Sequence, residues 1–234
     1  MTDNKIPGRK GKNSSGRTSR DSAVRVKTGR GRKSSSTRWL QRQLNDPYVR
    51  EANRLGYRSR ALFKLKEIDE KQHLIKEGMT VVDLGAAPGG WSQYAADKGA
   101  KKVIGIDLLE IEEMPGVTFM QMDFTDDDAE ERLIKELDGY ADLVMSDMAA
   151  NTIGHKKTDH IRIMGLVEMA YHFAVQVLKK DGTFMAKVFQ GGAQNEILNI
   201  MKKDFKTVKH IKPPASRKDS AEQYVIAIGF KGTS

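Results

Sequence analysis

Four aspartates share one relative position in this sequence, each at the point where a short apolar run ends. They are Asp83, Asp107, Asp123 and Asp147. Each run predicts a buried strand, and open α/β sheets bind ligands at the carboxyl ends of their strands. A single aspartate there is explained equally well as the N-cap of the next helix. Four in succession favour a binding edge lined by carboxylates, which can accept hydrogen bonds from hydroxyl or ammonium groups.

The first of these strands runs into a small-residue loop, Gly85 to Gly90. Glycine lets a ligand approach the backbone because no Cβ intervenes. The spacing differs from a dinucleotide fingerprint and from a phosphate-binding loop, and Pro88 lacks the N–H that a pyrophosphate would use. S-adenosylmethionine has an ammonium group and an adenosine but no phosphate. We therefore predict that the loop binds S-adenosylmethionine, with Asp83, which opens the loop, at the ammonium group, Asp107 at the ribose and Asp123 near the adenine.

Lys187 is a single charged residue within an otherwise apolar predicted strand. Because both faces of a central strand are covered, a lysine there is either turned outward or functional, and we favour function. A free lysine, with a pKa of about 10.4, is protonated at pH 7. Burial and a neighbouring cation both lower the pKa of a lysine, so that its amine can accept a proton from a hydroxyl group.

The elements that must position these residues alternate between strands and helices. Predicted strands span residues 79–84, 102–107, 117–122, 141–146, 182–189, 207–211 and 223–230, and predicted helices span 91–98, 128–137, 161–178 and 194–204. The alternation predicts an α/β, Rossmann-like fold: a seven-stranded, mostly parallel sheet with helices on both faces. No helix separates the last two strands, so the C-terminal strand is predicted to be antiparallel. Before the sheet, Asp46-Pro47 predicts the start of a helix.

Charge is distributed unevenly along the 234 residues. Residues 1–37 contain 11 Lys and Arg against two Asp, a net charge of +9, and almost no large apolar side chains. We predict that this basic tail is disordered and that residues 38–234 form a single domain, which contains the predicted S-adenosylmethionine site. Within the domain, residues 38–66 and 202–218 are basic, whereas residues 107–142 carry 13 acidic and two basic side chains. Such polarity is typical of proteins that bind a polyanion.

The absence of cysteine excludes disulfides, thiolate metal sites and cysteine nucleophiles. Methylation of pyrimidine carbon 5 normally needs a thiolate, and Ser146-Asp147-Met148-Ala149 is not the Asn/Asp-Pro-Pro-aromatic loop usual in methylation of exocyclic amines. O-methylation remains. The five histidines show no metal-ligand spacing, so no metal is expected. The polar N-terminus is no secretory signal, and no apolar run approaches the roughly 20 residues of a membrane span. We expect a cytoplasmic protein without a membrane partner.

Several longer motifs carry a family resemblance. They are Asp83-Leu84-Gly85-Ala86-Ala87-Pro88-Gly89-Gly90-Trp91-Ser92-Gln93, Ser146-Asp147-Met148-Ala149, Lys187-Val188-Phe189-Gln190-Gly191, Arg58-Ser59-Arg60-Ala61-x-Phe63-Lys64-Leu65 and Ser216-Arg217-x-x-Ser220-x-Glu222-x-Tyr224. Together they closely resemble the FtsJ/RrmJ family of ribose 2′-O-methyltransferases. The resemblance covers about residues 38–231, in order and without large gaps, and leaves out the tail.

The resemblance implies a catalytic Lys-Asp-Lys-Glu tetrad at Lys64, Asp147, Lys187 and Glu222. It also implies S-adenosylmethionine contacts at Gly89, Trp91, Asp107, Asp123 and Asp147, and the loop itself adds Asp83 and Gly85. We hypothesise that Lys187 is the general base. Lys64 would be the second cation, and the two acidic members of the tetrad would orient the amines.

Two basic clusters lead into tetrad members. One surrounds Lys64 and the other precedes Glu222; their members are Arg50, Arg54, Arg58, Arg60, Lys209, Lys212, Arg217 and Lys218. The first three arginines are spaced by four residues, which predicts one helical stripe unless Gly56 divides the helix into two pieces. We predict that both clusters bind RNA phosphates on either side of the reacting ribose; ordinary solvated faces are the alternative. DNA is disfavoured as a substrate because it has no 2′-hydroxyl group.

The resemblance further implies that the substrate is a uridine of 23S-type large-subunit ribosomal RNA, methylated during ribosome biogenesis. Composition and spacing do not identify the nucleotide. A tRNA or an mRNA cap would require the same chemistry, and a ribosome-assembly factor could bind RNA and S-adenosylmethionine without catalysis. A nicotinamide-dependent dehydrogenase is a distant alternative, because its fingerprint is missing. We expect a monomer whose partner is the large ribosomal subunit.

Overall fold

The computed structural model describes residues 34–149, 156–190 and 195–232. The chain divides into two compact units, Met1–Asn45 and Asp46–Ser234. In the first unit the structure describes one helix, α1 (Ser34–Asn45). Residues 1–33 of the predicted tail lie outside the described residues, so the tail and its boundary at residue 37 stay predictions.

The second unit is built on one seven-stranded sheet of order β3-β2-β1-β4-β5-β7-β6. The strands are β1 (Thr80–Leu84), β2 (Lys102–Asp107), β3 (Val117–Gln121), β4 (Ala141–Ser146), β5 (Leu178–Phe189), β6 (Phe205–Ile211) and β7 (Glu222–Phe230). β1 to β5 are parallel, whereas β7 is antiparallel to both β5 and β6. The predicted fold class is confirmed, including the antiparallel C-terminal strand.

Helices cover both faces of this sheet. They are α2 (Pro47–Leu55), α3 (Leu62–Gln72), α4 (Gly90–Asp97), α5 (Ala129–Leu137), α6 (Lys156–Val177) and α7 (Asn195–Asp204). Successive strand residues point to opposite faces. Val82 therefore joins the core with α5, α6 and α7, whereas Val81 joins the core with α2, α3 and α4. Met185 and Tyr224 belong to this second core, which is the face that carries α3.

The start of α2 follows the sequence prediction. Asp46 caps the helix by accepting a hydrogen bond from the N–H of Tyr48 at 3.0 Å, and Pro47 takes the first helical position. Gly56 ends the helix with a left-handed backbone, φ +75°. Arg58 therefore lies beyond α2: the helix ends at Gly56, the division that the sequence left open, and Arg50, Arg54 and Arg58 do not form one helical stripe.

Two other boundaries differ from the prediction. α6 begins at Lys156, five residues before the predicted start, and residues 150–155 of the predicted loop lie outside the described residues. β5 begins at Leu178, because the polar run before Gly182 forms an irregularity within the strand and not a turn before it. Among the described residues, no helix is long and apolar enough to cross a membrane.

Candidate active site

The loop between β1 and α4 forms the tight turn that its glycines predict, with positive φ angles at Gly85 and Gly89. Gly85 adopts φ +81°, and a Cβ there would lie 2.9 Å from the backbone nitrogen of Met148. The N–H groups of Gly85 and Ala86 both donate to the carbonyl of Ile106, at 2.9 and 3.0 Å. The loop is thus fixed against β2 and β4, and position 85 requires glycine for both its backbone angle and the close approach of its neighbour.

Two of the strand-end aspartates lie beside a cavity of about 140 Å³ at the carboxyl end of the sheet. Asp107 accepts hydrogen bonds from the N–H groups of Ala87 and Leu109, at 2.9 and 3.0 Å. Asp123 accepts bonds from the side chain and backbone of Thr125, and these bonds lower its pKa. The cavity is lined by Gly85, Ile106, Asp107, Leu108, Met122, Asp123, Phe124, Thr125, Met148, Ala149 and Leu166.

Asp83 lies beneath the loop and is fully buried. Its Oδ2 accepts a 2.7 Å hydrogen bond from the hydroxyl of Ser92, whereas Oδ1 has no hydrogen-bond partner. Burial raises the pKa of Asp83 to about 7; the Ser92 bonds oppose this rise, and the charges of Asp147 and Asp107 add to it. The carboxyl group is therefore neutral in much of the population near neutral pH, and its predicted contact with an ammonium group stays a prediction.

Asp83→Asn should change how the stability of the ligand-free protein depends on pH. Between about pH 4 and pH 7 the unfolded wild-type chain ionises at this position while the folded chain keeps its proton. Wild-type stability therefore falls as pH rises, by at most about 4 kcal/mol for such a shift. The asparagine variant lacks this loss, so its stability relative to wild type should increase from pH 4 to pH 8. Urea unfolding at several pH values measures the difference, and a constant difference would contradict the raised pKa.

The four residues predicted to form a tetrad meet on one face of the sheet. Asp147 follows β4, and its Oδ1 lies 3.1 Å from Lys187 Nζ on β5. Its Oδ2 lies 4.0 Å from Lys64 Nζ on α3. Lys64 Nζ also donates a 2.8 Å hydrogen bond to Glu222, at the start of β7. Four side chains from distant parts of the chain thus form one continuous ionic network.

Asp147 is the centre of this network. Lys187 Nζ also donates to the Asp147 backbone carbonyl at 2.5 Å, and the Tyr224 hydroxyl donates to Oδ1 at 2.8 Å. Burial acts to raise the pKa of Asp147, but the charges of Lys187 and Lys64 and the Tyr224 hydrogen bond outweigh it and hold that pKa below its ordinary value. The carboxylate is therefore ionised at neutral pH and holds both amines.

Trp91 supports the loop and the network from the helical side. Its indole is buried, donates a 2.8 Å hydrogen bond to the carbonyl of Ala61, and packs against the ring of Tyr224 at 5.6 Å. Lys64 Nζ lies 5.9 Å from the centre of the same tyrosine ring. The indole of Trp91 thus has a packing role here. The cofactor contacts assigned to Trp91 and Gly89, neither of which lines the cavity described above, stay predictions.

The arginines of the first basic cluster make several contacts within the protein. Arg58 donates to the carbonyls of Glu112 and Glu113, at 2.5 and 2.9 Å. Arg60 donates to the carbonyl of Ala215 at 2.6 Å. Arg54 is exposed and forms a bidentate pair with Glu51. Arg50 lies on α2, with its side chain exposed. Arg58 and Arg60 therefore direct their guanidinium groups at the protein's own backbone.

The second basic cluster lies on the edge strand β6 and in the connection that follows it. Lys209, on the edge strand β6, donates to the side chain of Gln72 at 2.7 Å. Lys212 donates to the carbonyl of Ser220 at 2.6 Å, and Arg217 lies 3.9 Å from Asp46. Lys218 is exposed. Because β6 ends beside the start of β7, Lys212, Arg217 and Lys218 lie in the same connection that leads to Glu222.

Sequence reasoning missed three residues that organise the site. Ser92 bonds Asp83, Tyr224 bonds Asp147, and Ser216 donates a 2.8 Å hydrogen bond to Glu222. One signal was available: Tyr224 stands two positions after Glu222 on a strand, so both side chains point to one face. Ser216 lies in a loop and opens one of the family motifs, but neither the motif nor the spacing gives it a partner.

Two further features lie away from the network. A cavity of about 690 Å³ runs along the edge strand β3 and the preceding acidic loop, and none of the predicted tetrad residues lines it. Within the described ranges, no group of three or more His, Asp and Glu side chains is arranged to hold a metal ion.

Comparison with known proteins identifies a matching family model, similar proteins and a similar solved structure. Residues 57–230 match the family model described as FtsJ-like methyltransferase. "Ribosomal RNA large subunit methyltransferase E" of Bradyrhizobium sp. (strain BTAi1) is 64% identical over 214 residues, which cover 89% of this chain and 93% of the relative. The protein of the same name from Paramagnetospirillum magneticum is 57% identical, covering 96% and 98%. A solved ribosomal RNA methyltransferase from Plasmodium falciparum is 30% identical with a TM-score of 0.68, covering 76% of this chain and 100% of that one.

Proposed function

Because the chain belongs to the FtsJ-like methyltransferase family, we propose that it methylates the ribose 2′-oxygen of a uridine in large-subunit ribosomal RNA. The names of its relatives support the class of RNA, and the ionic network beside the glycine loop supports the chemistry. The observation that carries the proposal is the meeting of Lys64, Asp147, Lys187 and Glu222. Such a substrate places the activity in the bacterial cytoplasm.

In the proposed methyl transfer, Lys187 acts as the general base. Lys187 is 6% exposed, and two oxygen atoms of Asp147 direct its amine. When neutral, the amine would accept the proton of the ribose 2′-hydroxyl, and the oxygen would take the methyl group as the methyl–sulfur bond of the donor breaks. A positioned general base typically contributes a factor of about 10² to 10⁴ to a rate.

The other three tetrad members hold the reacting groups in place. Asp147 is ionised and fixes the Lys187 amine, while the Tyr224 hydrogen bond fixes Asp147. Glu222 fixes Lys64 at 2.8 Å, so that its positive charge faces the same space. Alignment of this kind, without a large movement during the reaction, is a principal source of rate in transfer reactions.

The residues around the glycine loop fit S-adenosylmethionine. Bound there, the donor supplies an activated methyl group on its sulfonium. Asp107 and Asp123, beside the small cavity, would accept hydrogen bonds from ribose hydroxyls and the adenine amine, and Gly85 lines the same cavity. Oδ1 of buried Asp83 has no hydrogen-bond partner, and a positive charge beside it would favour the ionised carboxylate.

In the proposed function, RNA contacts basic side chains on α2 and in the connection that leads to Glu222. Arg50 and Arg54 lie exposed on α2, and Lys212, Arg217 and Lys218 lie in the connection before Glu222. Lys209 extends this group along β6. Arg58 and Arg60 do not belong to this RNA-binding surface, because each guanidinium group donates hydrogen bonds to backbone carbonyls of the protein.

Mapping of 2′-O-methyl groups tests the function. Ribosomal and transfer RNA from cells with and without this protein should differ at one uridine of large-subunit rRNA, and the purified protein with S-adenosylmethionine should restore that mark on isolated subunits. A lost mark on tRNA or on an mRNA cap would contradict the substrate. An unchanged methyl map, together with defective ribosome assembly, would favour an assembly factor over an enzyme acting on rRNA.

A further inference from the structure

The connection between β6 and β7 contains a contact that the proposed chemistry does not use. Ser216 is 4% exposed, and its hydroxyl donates a 2.8 Å hydrogen bond to Glu222 Oε1. The other oxygen, Oε2, accepts the hydrogen bond of Lys64 at the same distance. The carboxylate of Glu222 is therefore held from two sides, and Ser216 sets its rotation toward Lys64.

The position of Ser216 is set by its neighbour, Ala215, because both the backbone N–H and the backbone carbonyl of Ala215 form hydrogen bonds to side chains. Glu67 Oε2 accepts the N–H of Ala215 at 2.6 Å. Arg60 donates to the Ala215 carbonyl, also at 2.6 Å. Hydrogen bonds with a charged partner are about twice as strong as neutral ones. Two charged side chains of the α2–α3 region thus fix one residue of a loop far along the chain.

These two charged groups are themselves oriented before they reach Ala215. The Tyr48 hydroxyl donates to Glu67 Oε1 at 2.9 Å. The Arg60 guanidinium forms an ion pair with Asp46 at 3.0 Å and lies 5.5 Å from the centre of the Tyr48 ring. The contacts run without interruption from the start of α2 to the carboxylate of Glu222.

We propose that Ser216 is a positioning residue for Glu222, and that Arg60 and Glu67 act as a clamp on Ala215 that presents it. The inference rests on the proposed function, because it gives a purpose to a hydrogen bond within the tetrad. It also assigns Arg60 a task other than phosphate binding. Without the serine hydroxyl, one oxygen of a poorly exposed carboxylate lacks its donor, Glu222 rotates, and Lys64 loses its fixed place.

Ser216→Ala tests the positioning role in steady-state methyl transfer to large-subunit rRNA. We expect kcat to fall about ten- to a hundredfold, the range of a hydrogen bond to a charged group, with unchanged KM for RNA and unchanged Kd for S-adenosylmethionine. Ser216→Thr keeps the hydroxyl and should stay within about threefold of wild type. Thr207→Ala, which removes an exposed hydroxyl from the adjacent strand β6, is the matched control and should match wild type.

A double-mutant cycle with Glu222→Ala separates positioning from general structural damage. Ser216 acts through Glu222, so Ser216→Ala should change kcat less than about twofold once Glu222 is absent. Wild-type kcat in Ser216→Ala, or an equal loss in both backgrounds, would overturn the proposal. A wild-type protein that transfers no methyl group would instead overturn the proposed function.

Arg60→Lys tests the clamp, since lysine keeps the charge that a phosphate would need but not the guanidinium reach to Ala215. The clamp predicts a lower kcat with unchanged KM for RNA. A raised KM for RNA with unchanged kcat would return Arg60 to the RNA surface and overturn the clamp.

Discussion

Lys187→Met should lower the rate of methyl transfer at least about a hundredfold while leaving the affinity for S-adenosylmethionine intact. Methionine fills a similar volume on β5, where Lys187 is nearly buried, so the sheet keeps its packing. What disappears is the group that accepts the 2′-hydroxyl proton, and such groups contribute about 10² to 10⁴ in rate. Single-turnover methyl transfer gives the rate, and calorimetry gives the affinity for the methyl donor.

Lys180→Met is a matched control for this variant, because it lies on the same strand with its side chain exposed. It should transfer methyl groups at the wild-type rate. Near wild-type turnover in Lys187→Met, with donor binding intact, would end the assignment of Lys187 as the base. Lys64→Met would then be the next variant to measure, because its amine borders the same carboxylate.

Asp147→Asn should affect both stability and catalysis. Asparagine keeps the shape and can still accept the hydrogen bond of Tyr224, but it leaves the amines of Lys64 and Lys187 without their shared counter-charge. Breaking a fully buried ion pair costs about 3–5 kcal/mol. The Asp147 side chain is 18% exposed, so we expect a loss of about 2–3 kcal/mol at pH 7, measured by urea unfolding, with kcat reduced at least about a hundredfold.

The stability loss in Asp147→Asn has a defined pH window. Because the pKa of Asp147 is lowered in the folded protein, its charge contributes stability above the unfolded pKa of about 4, and this contribution disappears as pH falls through the folded pKa. The variant and wild type should therefore differ at pH 7 and converge below pH 4. Asp142→Asn is the control: Asp142 lies on the same strand and forms an ion pair with Lys179 outside the tetrad. A full stability loss that persists at low pH would contradict the role of the charge.

Periodicity in the sequence was enough to predict the sheet and the edge at which its strand-end aspartates lie. The apolar runs ending in Asp83, Asp107, Asp123 and Asp147 became β1, β2, β3 and β4 or their immediate extensions, within one or two residues. These elements follow from local patterns, because burial on both faces demands apolar residues throughout a parallel strand. The glycine loop could also be predicted from the sequence, because the positive φ angles of Gly85 and Gly89 favour glycine over other residues.

Side-chain partners far apart in sequence could not be predicted in this way. Arg58 bonds a carbonyl 54 positions away and Arg60 one 155 positions away, so both were assigned to RNA from their charge alone. Ser216 reaches Glu222 only because the loop folds back beside β7. Such contacts depend on how separate elements pack, and no spacing rule in the sequence expresses that.

The strand order places an acidic and a basic stretch of the chain at opposite edges of the sheet. β3 stands at one edge of the sheet, within the acidic stretch of residues 107–142, and β6 stands at the other, within the basic stretch of residues 202–218. Opposite charges at the two ends of a sheet make the second unit a dipole whose axis runs across the strands. In the field of a polyanion such a body experiences a torque, so it turns its β6 end forward before contact. Added salt should therefore slow productive encounter by removing this alignment as well as by weakening attraction.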